Sequence, residues 1–501
     1  MSSEQDPKVS TRRDFIRQAS CAAVGTWAIT STIRDLRLIN AAVAQTGLTG
    51  YKALICLFLA GGNDANNWIV PTDTATYDEY AGLRGILAIP KTSLRPLWSN
   101  AAGTTAYTDA DGHTHGFHPA CSELETLFKE DKLAVMFNVG TLVRPTTREQ
   151  YISGNPFYRP PQLFSHSDQV TQWQTSIPDQ PPTTGWGGRS ADLLNASANP
   201  AGNISMSVSL NGANTFQVGN VISQYHVSSS GAVTLANLSS AKIATMRAIF
   251  NRGIPVATAG SPVNLQRAAY AEVLDRAVET GNLLNTSVEG TAMAADTPPG
   301  TWVWTTPFPN TGLGNQMKMI ARLIAARGPT GFNMNRQIFF CSVGGYDTHT
   351  NQITFNNNGT TDPTTGTHAN LLGEVSDCVF AFQRAMEQLG VSNQVTTFTA
   401  SDFARTFPTN SQGSDHGWGS HHIMVGGAVK GGQTYGHLPT LVLNGPTDTG
   451  LGRWIPTTSV DQHAATLARW FGVDESNLAS IFPNLSRFAG TEYGSNVGFL
   501  L

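Results

Sequence analysis

None of the five cysteines in this chain falls in a Cys-x-x-Cys spacing, so nothing points to a thiolate zinc site. Charge is sparse. Asp, Glu, Lys and Arg make up 13% of the residues, with a formal net charge of −4, and the basic face that nucleic-acid binding needs is missing. After the N-terminal segment, no stretch approaches the ~18 continuous apolar residues of a membrane helix. No fixed-period repeat or low-complexity linker divides the chain. What remains is a globular composition, 40% hydrophobic with 49 glycines in 501 residues. That length allows one large domain or two or three ordinary ones. The apolar content is ample for a core, and the Gly, Asn, Thr and Ser suit long polar loops.

The N-terminus reads as an address. Thr11-Arg12-Arg13-Asp14-Phe15-Ile16-Arg17 has the form of a twin-arginine motif, followed by a weakly apolar stretch from Ala19 to Ile33 and small residues at Ala42-Val43-Ala44. The expectation is a signal over 1–44 that engages the twin-arginine export machinery. The mature chain, 45–501, would then be exported already folded to the periplasm or beyond, with no transmembrane segment after signal removal.

Four apolar runs, 52–60, 132–139, 337–343 and 394–400, are each close to continuous. Such runs read as strands covered on both faces, as in a parallel sheet. A short fifth strand is expected at 423–426. Leu371, Leu372, Val375, Val379, Phe382, Met386 and Leu389 recur at helical spacing and predict a helix over 368–389. Further helices are expected at 118–130, 313–326 and 460–471, and another from the Ser261-Pro262 start to Leu284. The expected fold class is α/β, a mostly parallel central sheet with helices on both faces. A small antiparallel, half-exposed β-rich insertion is expected around 190–260, where Asn203–Leu210 alternates.

Asp and His stand where the apolar strands end. Asp64 follows the first strand through Gly61-Gly62, Asp347 and His349 follow the third, and Asp415 and His416 lie beyond the fourth. Ligands of an open parallel sheet bind beyond the carboxyl ends of its strands. Three Asp and two His there suit a divalent ion, Zn, Mn, Mg or Ca, able to polarise a phosphate or sulfate ester and activate water or a hydroxyl. Each also has a local use: Asp64 as a turn cap, Asp347 in an Asx turn. Arg405 can hold an anionic group bidentately or pair with Asp402. His166 and Asp168 lie in what reads as a polar loop and can complete a site. His118 is the best placed of His113, His115 and His118. His421 and His422 alternate along a strand, so at most one faces the site. Trp68, Trp173, Trp186 and Trp418 read as loop residues that pack or stack on sugars.

Taken together, the twin-arginine start, GGNDANN at 61–67, FSHSDQ at 164–169, GGYDTH at 344–349, SDFART at 401–406 and SDHGWGSHHIMVGGAVKGG at 414–432 resemble the exported bacterial proteins of domain of unknown function 1501. That family is similar to the alkaline phosphatase and sulfatase superfamily. The resemblance implies an α/β sandwich, with Asp64, Asp347, His349, Asp415 and His416 at metal positions; His118, His166, Arg405 and His422 are the residues expected, from the sequence itself, to face an anionic ester or glycan substrate. It also implies a nucleophile after the second strand, where Thr141, Thr146 and Thr147 are the candidates. No Cys/Ser-x-Pro-x-Arg pattern stands there, which argues against a formylglycine sulfatase. Thr146-x-x-Glu149 also reads as a helix capping box. The alternative reading is a catalytically silent exported binding or surface-associated protein on the same fold.

Overall fold

A computed structural model describes Leu48, residues 50–232, 242, 245, 280–287 and 303–501. The export signal lies outside the described residues, as do most of the helix expected from Ser261 and the end of the 190–260 segment.

The sheet is built from β1 (Lys52–Leu59), β2 (Leu133–Gly140), β3 (Ser207–Ser209), β4 (Tyr225–Ser228), β5 (Gly231–Ala232), β6 (Arg336–Val343), β7 (Val395–Ser401), β8 (Ser420–Val425), β9 (Gln433–Tyr435) and β10 (Thr458–Ser459). Its order is β9-β2-β8-β7-β1-β6-β3-β4-β5, with β10 also on β2. β1 pairs in parallel with β7 and with β6. β8 is antiparallel to both β7 and β2, so β2 runs with β7. All four long strands therefore point one way, with β8 as the antiparallel member. Seven of the eight residues in β1, and all eight in β2, are buried. Two covered faces are what their unbroken apolar sequences require.

On one side α2 (Ser122–Lys129) and α5 (Gly312–Ala325) pack against α6 (Thr367–Gln388). The other carries α3 (His166–Thr175), α4 (Trp186–Ala198) and α7 (Val460–Phe471). One continuous core joins these layers, from Leu54 and Val135 to Val379 and Leu467. α6 links β6 to β7 across β1. Ahead of α2, α1 (Thr74–Arg84) projects beside a small three-stranded sheet.

Two expectations change. Within the described part of 190–260 only β4 and β5 form a partly exposed antiparallel pair. That part also holds the end of α4, and β3 and β4 extend the main sheet in parallel from β6, with Ser207–Ser209 fully buried. The alternating pattern suggests one exposed face, but small serines bury readily when their backbone joins a ladder. FSHSDQ, expected as a loop, opens α3 at His166. Trp173 and Trp186 accordingly lie in helices, and all four tryptophans are buried, so they pack the fold rather than form a platform. Cys56, Cys121, Cys341 and Cys378 are buried free thiols.

The strands end on one edge of the sheet. There β1 turns through Gly61 (φ +118°) and Gly62 (φ +85°), a backbone that other residues rarely adopt. A Cβ on Gly61 would lie 2.4 Å from the Asp347 amide nitrogen, and one on Gly62 2.6 Å from the Phe403 ring. The loops after β1, β6 and β7 thus touch with no room for a methyl group. Gly61→Ala should cost about 2 kcal/mol or more through strain and clash together, read as a lowered urea midpoint at an unchanged m-value. Wild-type stability in that variant would refute the close apposition.

Candidate metal centre

Asp347, on the loop after β6, is the meeting point. Its Oδ1 accepts from Arg405 Nη1 at 2.9 Å and lies 3.1 Å from His349 Nε2 and 3.3 Å from His416 Nε2. Its Oδ2 is 3.5 Å from His166 Nε2. His166, Asp347 and His416 each bring one ligand atom within 4.8 Å of the other two. Burial pushes the Asp347 carboxyl up, but the Arg405 bond and charge, with His349 and His166 beside it, outweigh burial and hold it below the usual carboxylate range. Arg405 is fully buried: besides Asp347 it donates to Gly61 O and Ser414 O, while its Nε is buried without a partner.

The imidazoles share one wiring scheme. His416 Nδ1 donates to Phe164 O at 2.8 Å, His349 Nδ1 to Asp415 Oδ1 at 2.8 Å, and His166 Nδ1 to Asp402 Oδ2 at 2.7 Å. A ring that donates from Nδ1 turns its Nε2 inward. Burial, with Arg405 and the neighbouring histidines, holds His416 below the ordinary imidazole pKa, which keeps its Nε2 bare. His349 Nε2 and His416 Nε2 are 2.8 Å apart. Two bare nitrogens at that distance repel, so the pair calls for a proton on one of them or a cation held by both. His166 Nε2 is buried and without a hydrogen-bond partner. Bonds of about 2.0–2.1 Å to one ion separate neighbouring ligand atoms by about 3 Å, close to the spacings around Asp347. The donor set, three imidazole nitrogens and a carboxylate, fits a borderline divalent ion. It suits Mg or Ca poorly, since both prefer all-oxygen shells.

The other predicted residues lie apart from these four ligand atoms. Asp415 supports His349 and takes a second bond from Asn410. Asp64 is fully buried, with its carboxylate held by Arg84, Gln352 and Asn66. Burial raises its pKa, yet Arg84, His368 and the Gln352 bond outweigh that and leave it lowered. His118 is buried against His368 at a ring separation of 6.3 Å, and burial takes its pKa to about 4. His422 lies in β8 against Trp173, hydrogen-bonded to Thr399, and burial drives its pKa well down. Asp168 is bonded to Ser165. Thr141 Oγ1 accepts from Gln169, and Thr146 Oγ1 bonds Arg144 O and Tyr158 O. The capping box is Thr147 with Gln150, one residue later than the Thr146–Glu149 pairing.

Three supporting groups carried no sequence signal of their own. Phe164 O depends on a backbone at φ +71°. Arg84 comes from a helix 20 residues beyond Asp64, and Gln352 from a loop. Asp402 was visible beside Arg405, but its partner is His166 rather than Arg405.

A family model described as "Protein of unknown function (DUF1501)" matches residues 51–479. No curated protein matches. Among solved structures the chain is similar to one titled "Crystal structure of PsFucS1 sulfatase from Pseudoalteromonas sp.", at 11% identity and a TM-score of 0.29, covering 94% of this chain and 75% of that one.

The Asp64–Arg84 pair makes a sharp prediction. Arg84→Met strands a buried carboxylate and should cost about 3–5 kcal/mol, with most of that recovered in Arg84→Met/Asp64→Asn. Because the folded pKa of Asp64 is depressed, its contribution is complete above the unfolded value of about 4. It is lost as pH falls through the lower folded value, an acid limb that the double variant should lack. Urea titrations from pH 7 to pH 2 measure both, and equal stability of the single and double variants would rule out the pair as the support of Asp64.

Proposed function

The chain belongs to the family of proteins of unknown function DUF1501, and from that premise and the site's wiring we propose an exported, metal-dependent hydrolase of phosphate or sulfate esters. One observation carries this reading: the Nε2 atoms of His349 and His416 face each other at 2.8 Å, and both Nδ1 atoms are tied to oxygen acceptors. A divalent ion held by Asp347, His349, His416 and His166 supplies Lewis acidity toward an ester oxygen and acidifies a water. Asp402, Asp415 and Phe164 O fix the tautomers of the rings. Arg405 lowers the proton affinity of Asp347 from beneath. Asp347 and Asp415 are half exposed, so the centre opens to solvent and to a substrate. The Thr141 and Thr146 hydroxyls are engaged with other protein groups and Thr147 caps a helix. The reading therefore assigns the attack to water. That same engagement favours the second reading, a silent binding protein, if no ester turns over. Export rests on Arg12-Arg13. Among the described residues no helix is long and apolar enough to cross a membrane.

Elemental analysis of protein purified without chelator should find a borderline transition ion, such as Zn or Mn. Asp347→Asn should abolish retention, and Asp402→Asn should weaken affinity about 10–100-fold, with surface Asp78→Asn as the control. Aryl phosphate or aryl sulfate turnover should follow the metal content. A metal-free protein with full turnover would end the metal reading, and a metal-loaded one inert to both ester classes would leave the silent protein.

Arg12→Lys/Arg13→Lys keeps the charge but loses the planar guanidinium fork. Cell fractionation should then show precursor retained in the cytoplasm; normal export of this variant would exclude the twin-arginine route.

A further inference from the structure

Arg405, the guanidinium that the sequence offers for an anionic substrate, is turned inward, its Nε buried without a partner. Its Nη1 is on Asp347 Oδ1 and Gly61 O, its Nη2 is on Ser414 O, and its side chain is fully buried. A different arginine stands at the rim. Arg453 Nε donates to the carbonyl of His416 at 2.8 Å, and its guanidinium lies over the Phe164 ring, 4.5 Å from the centroid. Phe164 O is the group that orients the His416 imidazole. Arg453 therefore grips both supports of one ligand, while among the described residues no hydrogen bond or ion pair takes its Nη1 or Nη2. Its backbone is fixed as well: Asp448 Oδ1 accepts from the amides of Gly450 and Arg453, and Asp448 Oδ2 from that of Asn444. A guanidinium stacked on a ring, tied by Nε and half-buried, has lost most of its rotamer freedom before any ligand arrives. It presents a two-nitrogen edge, the geometry that matches two oxygens of a tetrahedral oxyanion.

The geometry points to Arg453 as the substrate-positioning residue, holding the non-bridging oxygens of a phosphate or sulfate ester beside His416. This inference rests on the ester-hydrolase reading. It adds that selection for an anionic tetrahedral group is made at the rim, by an arginine anchored to the metal centre's own support.

The test uses the full mature chain loaded with its metal, with inorganic phosphate and inorganic sulfate as separate probes. Calorimetry gives affinity, the rise in melting temperature with added anion gives a second readout, and metal content is measured on the same samples. Wild type should bind at least one anion, and the two titrations rank phosphate against sulfate. Arg453→Met should weaken that binding about 10–100-fold, the range of a lost charge-assisted bond, at unchanged metal content. Arg453→Lys should fall between, since it keeps the charge and loses the fork. If an ester is turned over, KM should rise more than kcat falls. Arg384→Met, on a remote surface arginine paired with Glu130 and Glu387, should bind as wild type does. Undiminished anion binding in Arg453→Met overturns this inference and leaves the hydrolase reading standing. Binding of neither anion by the metal-loaded wild type overturns both. Loss of metal from the Met and Lys variants alike assigns Arg453 to holding His416 and overturns the positioning role.

Discussion

The Asp347 carboxylate balances a buried guanidinium below it against a ring of imidazole nitrogens around it. Arg405 is fully buried and Asp347 is its ion-pair partner, so without Asp347 its charge would stand less well compensated in a low-dielectric layer, an expensive arrangement. The Nε2 atoms of His349 and His416 converge on the same carboxylate, at 3.1 and 3.3 Å from its Oδ1. One side chain thus ties the interior of the sheet edge to its solvent-facing surface, and the loops after β1, β6 and β7 all close on it.

Around that point the rings are held from outside. Asp402 belongs to the end of β7, Asp415 to the loop before β8, and Phe164 to the turn before α3. These are separate segments, and each contributes one oxygen to one Nδ1. The turn before α3 carries two non-glycine residues with positive φ, Gln162 at +52° and Phe164 at +71°. The strain is offset by neighbours: Gln169 Oε1 holds the Phe164 amide, and Gln169 Nε2 reaches Thr141 Oγ1. A threonine that the resemblance suggests as a nucleophile is here a structural end-stop, two hydrogen bonds behind the Phe164 backbone.

The sheet was legible in the sequence because strands buried on both faces must be apolar throughout. Lys52–Leu59, Leu133–Gly140, Arg336–Val343 and Val395–Ser401 fall within one or two residues of the runs read from composition. The convergence of Asp347, His349, Asp415 and His416 was legible because strand direction sends their loops to one edge. Less was visible elsewhere. Asp64 reads as a ligand by position, but Arg84, on a helix with no local cue to its partner, meets the carboxylate first. His166 was singled out in the wrong setting: Ser165 and Asp168 look like loop chemistry, yet they open a helix whose first residue joins the cluster. The parallel edge at β3 and β4 was hidden because serine-rich alternation is the same whether the second face meets water or another layer. Backbone acceptors such as Phe164 O leave no trace in residue type at all.

The four buried thiols bear on the chemical fate of the chain. Burial raises Cys56 well above the ordinary thiol pKa, and Cys378 to about 12; Cys121 and Cys341 are shifted the same way. Oxidants and disulfides react with the thiolate, and these sulfurs hold almost none at neutral pH. Among the described residues, the cysteines are therefore slow to react in the folded molecule. A change from a reducing to an oxidising compartment would find, among the described residues, no exposed thiol ready to cross-link.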